Sequence, residues 1–237
     1  DLRVIDVAYS LDGRYLAYTT ADGGVVLDAA THETLFEIPD AQRIAFRPQT
    51  TELMVVTWKY DPEVMYYPRT GFERWDVARG EPISGTPQVG NQPDSEITGG
   101  IFHIEYSPDG RYFAATIRGY AVDSCNHFFA SVAVWNADDL GQAAVWLEDV
   151  LAFAFHPTEP VIAGAYHAAD GIGTGSRIIL WNYQTLDTNE LAVPGSEDAA
   201  FYQNDIQNIA FTADGSAFSA LTPDHVWTWR YDALPSV

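Results

Sequence analysis

Six histidines, one cysteine and thirty-three carboxylates are the groups in this chain that could bind a metal or move protons. Their spacing gives them little to do together. Cys125 and His127 stand two apart, but with no second cysteine the pair reads as loop residues and not as half of a metal site. No Gly-x-Ser-x-Gly elbow and no His-Glu-x-x-His occurs. Gly171-Ile172-Gly173-Thr174-Gly175 is rich in glycine but lies between two strand-like stretches. A phosphate cradle needs a helix to follow, and none is indicated. No catalytic residue, metal ligand or cofactor site is expected.

The charge is the next chemical property. Thirty-three acids face twelve bases, a formal net charge of −21, and Lys59 is the single lysine. Such a surface repels nucleic acid and anionic lipid and favours a partner with a basic surface. No apolar run approaches the ~20 residues that span a bilayer, so no membrane insertion is expected. The lone cysteine cannot close an internal disulfide, which fits a reducing compartment and an expected cytoplasmic location. The sequence opens on Asp1 and not on Met. An upstream segment of the same chain is therefore expected.

Groups this scattered need a scaffold to bring them together, and the scaffold is legible as a repeat. An apolar residue, a small residue and an aromatic recur five times: Val7-Ala8-Tyr9, Ile44-Ala45-Phe46, Ile104-Glu105-Tyr106, Phe153-Ala154-Phe155 and Ile209-Ala210-Phe211. Turns follow: Ser10-Leu11-Asp12-Gly13, Ser107-Pro108-Asp109-Gly110 and Thr212-Ala213-Asp214-Gly215, with Arg47-Pro48 and His156-Pro157 in looser versions. Seven residues past each aromatic stands a large apolar side chain: Leu16, Leu53, Phe113, Ile162 and Phe218. A third strand ends in Leu27-Asp28, Trp75-Asp76, Trp135-Asn136, Trp181-Asn182 and Trp229-Arg230. A fourth is expected around Leu35, Ile83, Val145 and Leu191, and the fifth copy has none. The pattern is strand, tight turn, strand, in one register throughout.

Strands bearing Tyr-Ser-Pro-Asp-Gly and then Trp-Asp or Trp-Asn resemble WD40 repeats, over essentially the whole chain. TolB-like propellers, which share the Ser-Pro-Asp-Gly turn, are the nearest alternative. No repeat carries the WD40 family's Gly-His dipeptide, so the resemblance does not extend to the hydrogen-bond network built on that histidine. The expected fold is all-β, a β-propeller with five four-stranded blades at about 4–40, 41–85, 100–148, 150–194 and 206–237, the last without its outer strand. Seven blades are the commonest ring in the family. Closing the ring would need the upstream segment. Trp75, Trp135, Trp181 and Trp229 are expected to pack between blades. Glu105, where four copies have alanine, is expected to be buried and paired with His103.

The distance from the turn aromatic to the third-strand Trp or Leu is 18 residues in the first and last copies but 29, 29 and 26 in the middle three. The extra residues fall at Lys59–Gly71, Arg118–Phe128 and His167–Ser176. Long connections at Gly85–Gly100 and Gly195–Asp205 leave on the same side by strand alternation. Loops on a rigid scaffold are where recognition sits. The expected function is a protein-binding scaffold or sensor, with candidate contacts at Tyr60, Asp61, Tyr66, Tyr67, Asp94, Glu96, Tyr120, Asp123, Phe128, Phe201 and Tyr202. The resemblance leaves two other readings, a propeller enzyme acting at the central channel and a purely structural domain packed on a neighbour.

Overall fold

The computed structural model describes residues 3–59, 69–83, 97–121, 128–140, 145–148, 150–167, 176–193, 206–222 and 224–234. Antiparallel sheets of consecutive strands are built from them. Blade 1 holds β1 (Asp6–Tyr9), β2 (Tyr15–Thr20), β3 (Gly23–Asp28) and β4 (Thr34–Ile38); blade 2 holds β5 (Ala41–Phe46), β6 (Glu52–Lys59), β7 (Arg69–Asp76) and β8 (Glu81–Pro82). Blade 3 has β9 (Ile97–Tyr106), β10 (Tyr112–Ala121), β11 (Phe128–Asn136) and β12 (Val145–Glu148). Blade 4 has β13 (Val150–Phe155), β14 (Val161–His167), β15 (Ser176–Asn182) and β16 (Thr188–Ala192). Blade 5 is three-stranded, with β17 (Asn208–Phe211), β18 (Ala217–Leu221) and β19 (Val226–Arg230), followed by a single 3-10 turn.

The register explains the repeat. Each turn aromatic pairs across the ladder with the residue seven later, and that residue pairs with the Trp or Leu of the third strand. The rows are Tyr9–Leu16–Leu27, Phe46–Leu53–Trp75, Tyr106–Phe113–Trp135, Phe155–Ile162–Trp181 and Phe211–Phe218–Trp229. Side chains in such a row share one face of the sheet. In blades 2 to 5 the row packs against the preceding blade. Trp75 stacks on Phe36 of blade 1 at 5.7 Å, and Trp135 meets Phe72 of blade 2 edge-on at 5.5 Å. The opposite face receives the next row; it is made of smaller residues in places, as with Ala17 and Val26 in blade 1 or Ala114, Val132 and Val134 in blade 3, and carries Met54 and Phe72 in blade 2. The core is thus split into four clusters, one per interface between consecutive blades. The first strands of the blades lie innermost and side by side, β1 beside β5, β5 beside β9 and β13 beside β17.

Both turn motifs are polar clamps. Ser10 Oγ donates to Asp12 Oδ1 at 2.6 Å and accepts the Tyr15 N–H at 2.9 Å, while Asp12 accepts the Arg14 N–H. Ser107 with Asp109 and Thr212 with Asp214 repeat the clamp. Gly13, Gly110 and Gly215 take the positive φ, between 68° and 74°, that closes each turn. The Asp or Asn after the row residue holds the next turn: Asp28 accepts the N–H groups of Ala30 and Thr31, and Asn182 those of Gln184 and Thr185. Arg230 stands at this place in blade 5 and instead pairs with Asp232.

Candidate functional site

The strand ends that flank residues 60–68, 84–96, 122–127, 168–175 and 194–205 all lie at one end of the blades, because each sheet is antiparallel and consecutive. At the other end, the first two strands of each blade are joined by the short turns just described, while residues 137–144 between β11 and β12 span a longer interval. Tyr60, Asp61, Tyr66, Tyr67, Asp94, Glu96, Asp123, Phe201 and Tyr202 lie outside the described residues. Tyr120 and Phe128 do not sit in a loop. They are strand residues paired with each other at the last rung of the β10–β11 ladder. The loop expected at Arg118–Phe128 is therefore shorter, with Arg118–Ala121 continuing β10. Lys59, Arg69–Gly71, Ile97–Gly100, His167 and Ser176 likewise belong to strands. Within these extensions Thr70, Ile97, Thr98, Tyr120 and Phe128 are of the β-branched and aromatic types that favour a continued ladder.

On the inner strands, β9 brings His103 and Glu105 together as expected, with Nε2 and Oε2 3.8 Å apart. Burial of Glu105 is not observed: its side chain is 37% exposed and that of His103 is 49% exposed. The innermost strand is thus open to solvent at this carboxylate, and desolvation does not force the pairing. Phe153 of blade 4 lies edge-on to the His103 ring at 4.9 Å. Nearby, Arg43 Nε donates to the Phe102 carbonyl at 2.7 Å, and Asp6 Oδ2 accepts the Ile44 N–H at 3.0 Å, each tying neighbouring inner strands.

The short-turn end holds polar contacts that the linear pattern does not reveal. Arg47 reaches from blade 2 to blade 3, with Nε donating to the Gly110 carbonyl at 2.8 Å and Nη1 to Asp138 at 2.7 Å. Glu52 lies 3.6 Å from Arg47 and 3.9 Å from Arg74, and accepts the Tyr106 hydroxyl at 2.8 Å. Burial, followed by the adjacent Glu52 carboxylate, pushes the Tyr106 hydroxyl well above its usual range. Arg47 is mostly buried, so Arg47→Met is expected to cost about 1.5–3 kcal/mol by leaving the Gly110 carbonyl unpaired and Glu52 with one cation fewer. A shift in the urea midpoint measures it; an unchanged midpoint means the contacts are idle.

His156 does for blades 4 and 5 what Arg47 does for blades 2 and 3. Its Nδ1 accepts the N–H groups of Thr158 at 3.2 Å and Glu159 at 3.0 Å, which assigns the ring proton to Nε2, 3.1 Å from the Gly215 carbonyl. The ring packs against Phe211 and Tyr231 and is buried. This histidine is fully used in structure.

Turn aspartates carry a pH dependence. The Thr212 hydroxyl, then the Ser216 N–H, hold the Asp214 carboxyl at about 2, and hydrogen bonds from Ser10 and from Arg47 lower Asp12 and Asp138. Folded values below the unfolded ~3.9 mean stabilisation that is complete above that value and lost as pH falls through it toward about 2. Stability measured from about pH 5 down to about pH 2 is expected to fall, with a shallower fall in Asp214→Asn. Identical slopes would reject the assignment.

No protein-family model matches the chain, and no curated protein sequence matches it. Solved structures do. The β-propeller domain of Cps50 (Swd1) from Myceliophthora thermophila superposes with a TM-score of 0.62 at 12% identity, over 100% of this chain and 68% of that one. Hydrazine synthase from Kuenenia stuttgartiensis matches with a TM-score of 0.59 at 14% identity, over 94% of this chain and 70% of that one. A eukaryotic initiation factor matches with a TM-score of 0.56 at 16% identity, over 97% of this chain and 53% of that one. With the sheets and their order, these matches define the fold as a β-propeller. Among the described residues no helix is long and apolar enough to cross a membrane.

Proposed function

We propose that this chain is a WD40-type propeller that binds other proteins through the end of the blades carrying its long connections. The observation that carries the reading is the asymmetry of the blades. One end keeps short turns, apart from residues 137–144 between β11 and β12, and the other carries residues 60–68, 84–96, 122–127, 168–175 and 194–205. Stacked blades give a rigid base from which recognition segments can be presented together. The candidate contacts remain Tyr60, Asp61, Tyr66, Tyr67, Asp94, Glu96, Asp123, Phe201 and Tyr202, with Tyr120 and Phe128 at the strand ends below them. Aromatics serve as anchors and carboxylates select a basic partner surface.

Hydrazine synthase shows that this fold also occurs in an enzyme, so fold alone does not decide the function. What favours binding is the sequence invested at one end. Shortening the connections one at a time, and measuring affinity for a co-purified partner at low and high salt, tests the reading. At least one shortened chain should lose about 2 kcal/mol or more of binding energy, and salt should weaken the parent complex. If every shortened chain binds like the parent, the interface lies elsewhere.

A further inference from the structure

Between blades 3 and 4, at the short-turn end, stands a hydroxyl that the fold does not use. Tyr183 follows Trp181-Asn182 just past β15, a place held by Ala29, Val77 and Ala137 in blades 1 to 3 and by Tyr231 in blade 5. In blade 5 the hydroxyl is taken: Tyr231 donates to Glu159 Oε2 of the preceding blade at 2.8 Å. Glu159 lies four residues past its turn aromatic, and blade 3 has Gly110 at that place. Tyr183 therefore meets no such carboxylate, and its hydroxyl makes no hydrogen bond among the described residues. The side chain is nonetheless buried, at 7% exposure, with its ring edge-on to Tyr112 at 4.9 Å and to Phe155 at 5.5 Å. Burial, then the nearby Asp109 carboxylate, pushes the hydroxyl above its usual range.

Tyr183 opens onto a cavity of about 170 Å³ that Asp109, Glu159 and Gln184 also line. The chemistry of this lining is that of a cation site. Asp109 spends Oδ1 on the turn clamp, accepting from the Ser107 hydroxyl and the Arg111 N–H, and Glu159 spends Oε2 on Tyr231. Asp109 Oδ2 and Glu159 Oε1 have no donor among the described residues, and the Gln184 carboxamide adds a further acceptor. The His156 ring borders the cavity with both nitrogens already engaged, and no lysine or arginine lines it. A metal ion does not fit: among the described residues no three His, Cys, Asp or Glu side chains are placed to hold one. Pro108, Pro157 and Pro160 form apolar walls suited to an alkyl stem. A guanidinium presents more donors than an ammonium, in a planar fork, and so meets this many acceptors better. Sites for drug-sized ligands run to roughly 300–1,000 Å³, so this smaller cavity suits a group the size of one side chain.

We propose that this cleft binds an alkylguanidinium group, carried by an arginine side chain of a partner protein or by a free small guanidinium. The Tyr183 hydroxyl accepts one N–H, Asp109 Oδ2 and Glu159 Oε1 balance the charge, and the prolines cover the stem. The site lies at the end of the blades opposite the long connections. It rests on the packing of blades 3 and 4 and does not depend on the function proposed for that other end.

The test titrates the whole chain with a capped Gly-Gly-Arg-Gly-Gly peptide, its citrulline and lysine counterparts, and butylguanidinium, following the backbone amide signals of Asp109, Glu159 and Gln184 by NMR. The arginine peptide or butylguanidinium should shift these signals saturably, and the tighter of the two names the source. The neutral citrulline peptide should bind about tenfold more weakly or worse. Asp109→Asn and Glu159→Gln keep the acceptors used in the fold and should each weaken binding about tenfold, while Tyr183→Phe, which keeps the ring packing, should weaken it about threefold or more. Glu33→Gln removes the same charge from an exposed position in blade 1 and should change nothing. The inference is overturned if neither cation gives a saturable shift, if the citrulline peptide binds as well as the arginine one, or if the cleft variants bind no more weakly than Glu33→Gln. A lysine peptide that binds as tightly as the arginine peptide would overturn the choice of guanidinium.

Discussion

Trp135→Ala is expected to lower stability by about 3–5 kcal/mol, the largest loss of any single truncation among the row residues. Trp135 is 1% exposed, lies in contact distance of Phe72 from blade 2 and Phe113 from its own sheet, and meets Trp146 on the fourth strand. Removing it empties the middle of the interface between blades 2 and 3. Trp75 and Trp229 occupy the same register but are only partly buried, so their truncation is expected to cost less. Denaturant unfolding of the three variants measures the order. A Trp135→Ala loss no greater than that of Trp229→Ala would show that the row does not carry the interface.

The second large effect separates two glycines with the same backbone. Gly13→Ala is expected to cost only the left-handed penalty, about 1–2 kcal/mol, since its new methyl meets nothing within 4 Å. Gly215→Ala adds a methyl 2.5 Å from two atoms of the His156 ring. That ring must move, and with it go hydrogen bonds to Thr158, Glu159 and Gly215, a further loss of about 2–3 kcal/mol. A double-mutant cycle provides the check: in a His156→Ala background the Gly215→Ala penalty should fall toward that of Gly13→Ala. If the two glycine variants are equally stable in the parent background, the steric argument fails.

These residues also mark how far the sequence could be read. The rows were legible because the aromatic, the apolar residue seven later and the tryptophan are local, and a two-stranded register translates that spacing directly into shared faces. The ties between blades were not. Arg47 meets Asp138 across 91 positions and Tyr106 meets Glu52 across 54, distances over which no pattern of neighbours carries information. In the linear sequence Arg47-Pro48 and His156-Pro157 looked like weak copies of the Asp-Gly turn. In the fold they are the donors to it. Glu105 departs from the expected burial because an inner-strand position does not by itself exclude water, and the side chain keeps more than a third of its surface exposed. Tyr120 and Phe128 lie in strands and not in a loop, a difference invisible in the sequence because a run between two strands has the same pattern whether it extends their ladder or leaves it.

The constant spacing at one end of each blade and the variable spacing at the other set the terms on which such a chain can evolve. A residue inserted between the first two strands would rotate an aromatic row out of its neighbour, and all five copies hold that interval at seven. Between the second and third strands the interval ranges from 18 to 29 residues past the same aromatic, with every row still in register. Length is neutral there and fixed at the turn between the first two strands. Lineages can therefore lengthen, shorten or exchange whole segments at one pole of the molecule as independent events, and an engineer grafting a foreign peptide should choose the same five places.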